Sequence, residues 1–247
     1  MTAINAIKFS DALVVYTDTA FYNAAGVCEM FAQKAHVLFP QKAIVALRGI
    51  ALPAGVYRGH ASHRGSFDDI ADHMVDDLKD AIRVAVPEGP VALTAFVGGW
   101  SERAGDYRML EMWAFGSDAN TFTDESFQPH PFDPMFVSPL INPEPLATLL
   151  DAEGRFGAGD PDVVRLMELQ RATNYRLSGF GQALGCIVGG AIQKTVLTQT
   201  SATTEIIHTW PDQVGALVGL DTTDREDYRG PGVDPWAPST QPQDTTP

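Results

Sequence analysis

Cysteine is scarce in this chain: Cys28 and Cys186 are the only two in 247 residues, each set among apolar neighbours ("AGVCEMF", "GCIVGG"). So few thiols exclude a small disulfide-stapled scaffold, and buried free thiols in a reducing compartment are the expectation. Long hydrophobic runs are missing too. No stretch reaches the ~18 apolar residues of a membrane helix, and no basic segment followed by an apolar core opens the chain as a secretory leader would. Positive charge is also short. Lys and Arg number 17 against 31 Asp and Glu, a net charge of −14, which argues against nucleic acid or an anionic membrane as partner. Internal repeats are absent. The expected setting is the cytoplasm, with a polypeptide or a small molecule as the ligand.

What remains is ordinary globular material, 45% hydrophobic and 19% charged, long enough to bury a large core. "AINAIKF" (3–9) and "ALVVYTD" (12–18) read as two strands joined at Ser10-Asp11, the second apolar enough to be covered on both faces. A hairpin turning at Asn23-Ala24-Ala25-Gly26 and two strands broken at Pro40-Gln41 follow, so the first fifty residues form a run of antiparallel strands. Ser66 is a candidate N-cap with Asp69 three residues on. Ile70, Met74, Val75, Leu78 and Ile82 then draw one apolar helical stripe. Asp68, Asp72, Asp76, Asp77 and Asp80 are expected to lie on its solvated face. Residues 91–100 read as a buried strand ending in a Gly-Gly turn, with a partner over 107–115. A long connection follows from 116 to about 145. A second helix is expected from 161 to about 177, with Pro161 in its first turn, then a closing pair of strands. From 221 onward prolines replace aliphatics. We therefore read residues 1–220 as one domain and 221–247 as a disordered tail. The order strands, helix, strands, helix, strands suits an α+β arrangement with helices outside paired sheets.

Thr2 behind Met1 would mean little alone. Methionine aminopeptidases remove Met before a small residue, however, and removal leaves a threonine whose hydroxyl adjoins its own α-amine. That amine titrates at about 7.7–8.0, so one residue can supply nucleophile and general base. Such a site needs a nearby cation, an anion to hold it, and N–H donors for the oxyanion. Asp18 stands sixteen positions after Thr2 and Lys34 thirty-two, both near strands, with Pro40 beyond. The stretch "TAINAIKFSDALVVYTDT" resembles the opening of proteasome β subunits and their simpler bacterial ATP-dependent relatives, members of the N-terminal-nucleophile hydrolases. In that family the mature chain opens with Thr, and its catalytic Asp and Lys stand at these separations.

The resemblance implies a four-layer αββα fold of two antiparallel sheets with flanking helices. It also implies self-association into a homo-oligomer, and no cofactor or metal. Thr2 would be nucleophile, Asp18 and Lys34 its supporting pair. The family's oxyanion glycine falls on Arg48 by ungapped counting, or on Gly49 if the turn at Gln41-Lys42 is one residue longer; Gly49 is preferred because the strand "AIVALRG" ends there. Arg48 beside that pocket would either recruit a substrate carboxylate or obstruct the site. Ser178 in "RLSGFGQ" resembles the family's helper serine, but reads better as a helix end stopped by Gly179. His60 and His63 are expected in a polar loop. His130 and Asp133 either line a substrate cleft or simply fall in a proline-rich turn, and "TWPDQVG" (209–215) is either a contact patch or a place where Trp210 and Val214 cover a sheet edge. Two functions stay open: a threonine-type hydrolase of peptide or small amide bonds, or an inactive member of the same fold serving as ring, scaffold or phage-particle component.

Overall fold

The computed structural model of the chain describes residues 2–23, 26–49, 52–86, 88–118, 120–141, 146–151, 156–173, 175–176, 184–185 and 188–218. The proposed tail at 221–247, Cys186 and Ser178 lie outside them. The strands are β1 (Ile4–Lys8), β2 (Leu13–Asp18), β3 (Ala20–Tyr22), β4 (Cys28–Phe31), β5 (Ala35–Leu38) and β6 (Ala43–Gly49). After helices α1 (Leu52–Ser62) and α2 (Phe67–Ala85) come β7 (Val91–Ser101), β8 (Asp106–Asp118), β9 (Thr121–Phe122), β10 (His130–Phe132) and β11 (Met135–Ser138). Helix α3 (Asp160–Ala172), β12 (Tyr175–Arg176), β13 (Leu184–Gly185), β14 (Ala191–Leu197) and β15 (Ala202–Thr209) complete the described elements.

Two larger sheets carry the fold. One runs β11-β1-β2-β14-β15 and the other β10-β8-β7-β6-β5, with β9 added to β8; β3–β4 and β12–β13 are small pairs. Every pairing is antiparallel. Alternation along β2 shows how sequence dictates packing. Leu13 and Val15 join Ile4, Ala6, Ile44, Ala46, Phe96, Met109 and Phe136 in a cluster that both large sheets feed. Val14 and Tyr16 point the other way, toward Val163 and Met167 of α3. Both faces of β2 are therefore buried, as its unbroken apolar run predicts. On the far face of the second sheet, Val45, Leu47, Val97 and Met112 pack on Tyr57 of α1 and on Phe67, Ile70, Met74 and Leu78 of α2. Each such large side chain contributes about 1.5–3 kcal/mol by leaving water.

Helix α2 starts where its cap predicts. The Ser66 hydroxyl accepts the Asp69 N–H at 3.1 Å, and Asp69 reaches back to the Gly65 N–H at 2.8 Å. Asp68 and Asp69 sit in the first turn, where the helix dipole favours negative charge. Replacing Ser66 with alanine is expected to cost about 1 kcal/mol, read as a lower denaturant midpoint at unchanged slope.

Several expectations are corrected. The polar-loop reading of His60 gives way to helix α1, where His60 Nε2 lies 3.1 Å from Asp80; the internal glycines Gly55 and Gly59 hid this helix. Asp77 is not on a solvated face. It is 5% exposed, and the Arg64 guanidinium donates to both its carboxylate oxygens, because a buried carboxylate needs a partner. Asp68 likewise accepts from the Ser101 hydroxyl and the Arg103 N–H. Gly98-Gly99 do not make a turn but continue β7, and a Cβ on Gly98 would come 2.6 Å from Leu13 Cδ2 of the opposite sheet. The connection after 116 carries three strands. One of them, β11, lies against β1 with Ser138 opposite Ile4. Trp210 is buried, whereas Val214 is 60% exposed.

Candidate functional site

β2 ends in Asp18, and its carboxylate gathers three donors in four contacts. Lys34 Nζ approaches its two oxygens at 3.0 and 2.9 Å. The Ala3 N–H donates to Oδ1 at 2.9 Å, and the Gly189 N–H donates to Oδ2 at 3.2 Å. Lys34 also donates to the Ala20 carbonyl and stands 5.0 Å from the Phe21 ring centroid. Both side chains are buried, 0% and 1% exposed. Burial pushes the Lys34 ammonium down from the ordinary lysine range, opposed by the Asp18 charge. Burial pushes the Asp18 carboxyl up, opposed by Lys34 and the Ala3 N–H. Desolvation thus works toward neutral partners while the contacts hold the ion pair together.

Because Asp18 holds the amide that follows Thr2, the peptide unit between Thr2 and Ala3 is fixed beside the pair. Thr2 itself is 4% exposed. The end of β6 is tied to the same region: Arg48 Nη1 donates to Ser138 Oγ at 2.9 Å, and Ser138 faces Ile4 across the β1–β11 ladder. Arg48 also offsets the buried Glu111 carboxyl, which burial pushes up against the indole N–H of Trp113. Gly49 closes β6 opposite Leu93 with φ +107, and a Cβ there would overlap the Ala92 carbonyl oxygen. Glycine is the residue this position accepts.

The sequence reading missed the support behind Asp18. Between Val188 and Gly190 the chain turns against β2, and the Gly189 carbonyl accepts the N–H groups of Thr19 and Ala20 at 3.2 and 3.1 Å. Asp212 grips this turn through the Gly190 N–H at 2.7 Å. Arg171 of α3 donates to the Val188 carbonyl at 2.8 Å and forks onto Asp212 with two bonds of 2.8 Å. Its guanidinium stacks 4.9 Å from the Trp210 ring. Only the tandem glycines of "VGG" hinted at this close approach.

His130 stacks on Trp113 at 5.0 Å, while Asp133 pairs with Lys8 at 2.9 Å; neither bonds to the Asp18–Lys34 pair. Cys28 is a buried free thiol. Among the described residues no group of three or more His, Cys, Asp or Glu gathers to hold a metal, and no helix is long and apolar enough to cross a membrane.

Two antiparallel sheets, helices packed on them and a buried Asp–Lys pair beside the first strand define the arrangement. The chain is similar to a solved structure of an Anbu (Gly-1) mutant from Hyphomicrobium sp. strain MC1, with a TM-score of 0.54 and 14% sequence identity over 86% of this chain and 89% of that one. That likeness is one of fold. No family model matches the chain, and no curated protein does.

Proposed function

We propose that this chain is a threonine-type hydrolase of amide bonds, those of peptides first, built as a four-layer αββα domain that works as a homo-oligomer. The observation that carries the reading is the buried Lys34–Asp18 pair whose carboxylate holds the peptide unit of Thr2. With Thr2 released as the first residue, its hydroxyl attacks the substrate carbonyl while its α-amine takes the hydroxyl proton. The Lys34 ammonium, a like charge, favours the neutral amine that this step requires. The Gly49 N–H faces the oxyanion. Collapse of the tetrahedral intermediate breaks the C–N bond, and the ammonium returns its proton to the leaving amine. Water, deprotonated by the same amine, then cleaves the Thr2 ester and releases the acid.

A second reading has its own observation. Asp18 and Lys34 satisfy each other, so the pair equally suits a structural clamp in an inactive member of the fold. Intact mass and N-terminal sequencing of cytosolically expressed protein, followed by treatment with a β-lactone directed at N-terminal threonine, separate the two. The hydrolase requires Thr2 first and a covalent adduct on residue 2 that Thr2→Ala abolishes. A retained Met1, or an unmodified Thr2, overturns it in favour of the clamp.

A further inference from the structure

The turn at 188–190 is held on two sides. Toward β2, the Gly189 carbonyl takes the Thr19 and Ala20 N–H groups, the Ala191 N–H reaches Thr19 Oγ1 at 2.9 Å, and the Gly189 N–H reaches Asp18. Away from β2, the Trp210 N–H donates to the Gly190 carbonyl at 2.8 Å, while Asp212 takes the Gly190 N–H and Arg171 the Val188 carbonyl. The two glycines make the fit close. A Cβ on Gly189 would come 2.4 Å from Val218 Cγ1 and 2.8 Å from Asp212 Oδ2. One on Gly190, at φ +79, would come 2.5 Å from Thr19 Oγ1. A shift of Asp212 is therefore passed on to the Gly189 N–H. The latch is also charged and buried: the side chains of Arg171 and Asp212 are 10% and 1% exposed. Replacing a buried ion pair with apolar side chains of the same volume is often neutral or stabilising, so stability is a poor reason for this one. What the pair delivers is direction. It aims one N–H at the carboxylate that holds Lys34 and the Thr2 peptide unit.

We infer that Arg171 and Asp212 are positioning residues for the Thr2 site, holding the Gly189 N–H on Asp18 so that this donor shares the carboxylate with Ala3 and Lys34. The inference rests on the proposed hydrolysis. An amide dipole aimed at Asp18 offsets part of its charge. Without it, the carboxylate favours the ammonium form of the nearby Thr2 amine, which has to be neutral to take the hydroxyl proton. The amine then holds its proton to higher pH, and the acid limb of acylation moves up with it. Among the described residues, the titratable groups set about Asp18 are Lys34 before β5, Cys28 on β4, and Arg171 and Asp212 behind the turn. Lys34 keeps its proton in the working range of the mechanism, and burial pushes the Cys28 thiol up, so neither titrates on that limb.

The test follows β-lactone acylation of Thr2 in the full-length protein from about pH 6 to about pH 9, a span centred on the ordinary α-amine range. Wild type, Asp212→Asn and Arg171→Lys are compared, each with its own chemical denaturation curve. Asp212→Asn is expected to move the midpoint of the acid limb up by about one pH unit, which is about tenfold slower acylation below it. Arg171→Lys keeps the charge but loses the fork, and should move the limb the same way by less. A merely structural latch lowers the denaturant midpoint and leaves the limb in place, and that result overturns the assignment. If Asp212→Asn does not fold, Arg171→Lys decides alone. Wild-type protein that takes no lactone is a separate failure: it sinks the hydrolase, and the positioning role with it.

Discussion

Lys34→Met is expected to do two separate things at once. It should slow β-lactone acylation of Thr2 by roughly 10²–10⁴, the range for disabling the general base that Lys34 keeps neutral. It should also destabilise the protein by about 3–5 kcal/mol, because Asp18 stays buried without its counter-charge. For a chain of this length that means a Tm lower by roughly 6–20 °C, at ~2–4 °C per kcal/mol. The double variant Asp18→Asn, Lys34→Met separates the roles. The asparagine carbonyl still accepts one of the N–H bonds that Ala3 and Gly189 offer Asp18, and no charge is left buried. Stability should return most of the way while acylation stays slow. Acylation recovered along with stability would show that the pair is a clamp alone, and the hydrolase mechanism would lose its cation.

Gly49→Ala carries the second large effect. Its φ of +107 is one that L side chains rarely adopt, and the added methyl would overlap the Ala92 carbonyl oxygen and press on Leu93 Cα at 2.8 Å. Overpacking costs about 1–3 kcal/mol and the left-handed backbone a further ~1–2 kcal/mol. A loss of about 2–5 kcal/mol in chemical denaturation is therefore expected. Gly105 is the matched control. Its φ is +63, but nothing lies within 4 Å of a Cβ there, so Gly105→Ala should cost only the backbone part. If the two substitutions cost the same, the end of β6 does not approach Ala92 closely, and the placement of the Gly49 N–H as an oxyanion donor fails with it.

The two variants touch different parts of the same arrangement. Lys34 reaches Asp18 from the segment before β5, and Gly49 ends β6, the strand that pairs with β5 from Ala35 opposite Ala46 to Leu38 opposite Ala43. A substitution that shifts β5–β6 register would move both together. The pair and the glycine are therefore best compared in separate single variants before any combination.

Much of the fold was legible in short patterns. The Ser10-Asp11 turn pair between two strand-like stretches marked β1 and β2, and the unbroken Leu13–Tyr16 run marked a strand covered twice. Ser66 with its following aspartates marked the start of α2. The spacing of Thr2, Asp18 and Lys34 could be read by counting, and Asp18 and Lys34 do meet. These features are local, or repeat a family's register, so the residues that carry them sit close together or at fixed separations along the chain.

The rest was decided by contacts between residues remote in sequence. Helix α1 forms despite Gly55 and Gly59 because Tyr57 and Ala61 fill the core over β6 and β7; the glycines' propensity alone argues against it. Asp77 looked like one more surface carboxylate until Arg64 folded onto it. The turn at Gly189 reaches Asp18 across a sequence separation of 171, and Arg171 and Asp212 hold that turn although neither shows any local motif. The chain by itself determined which residue types stand at the first strands and in what order the strands follow. The tertiary structure alone decided what grips Asp18, because hydrogen-bond satisfaction in a buried site depends on which distant backbone groups arrive there.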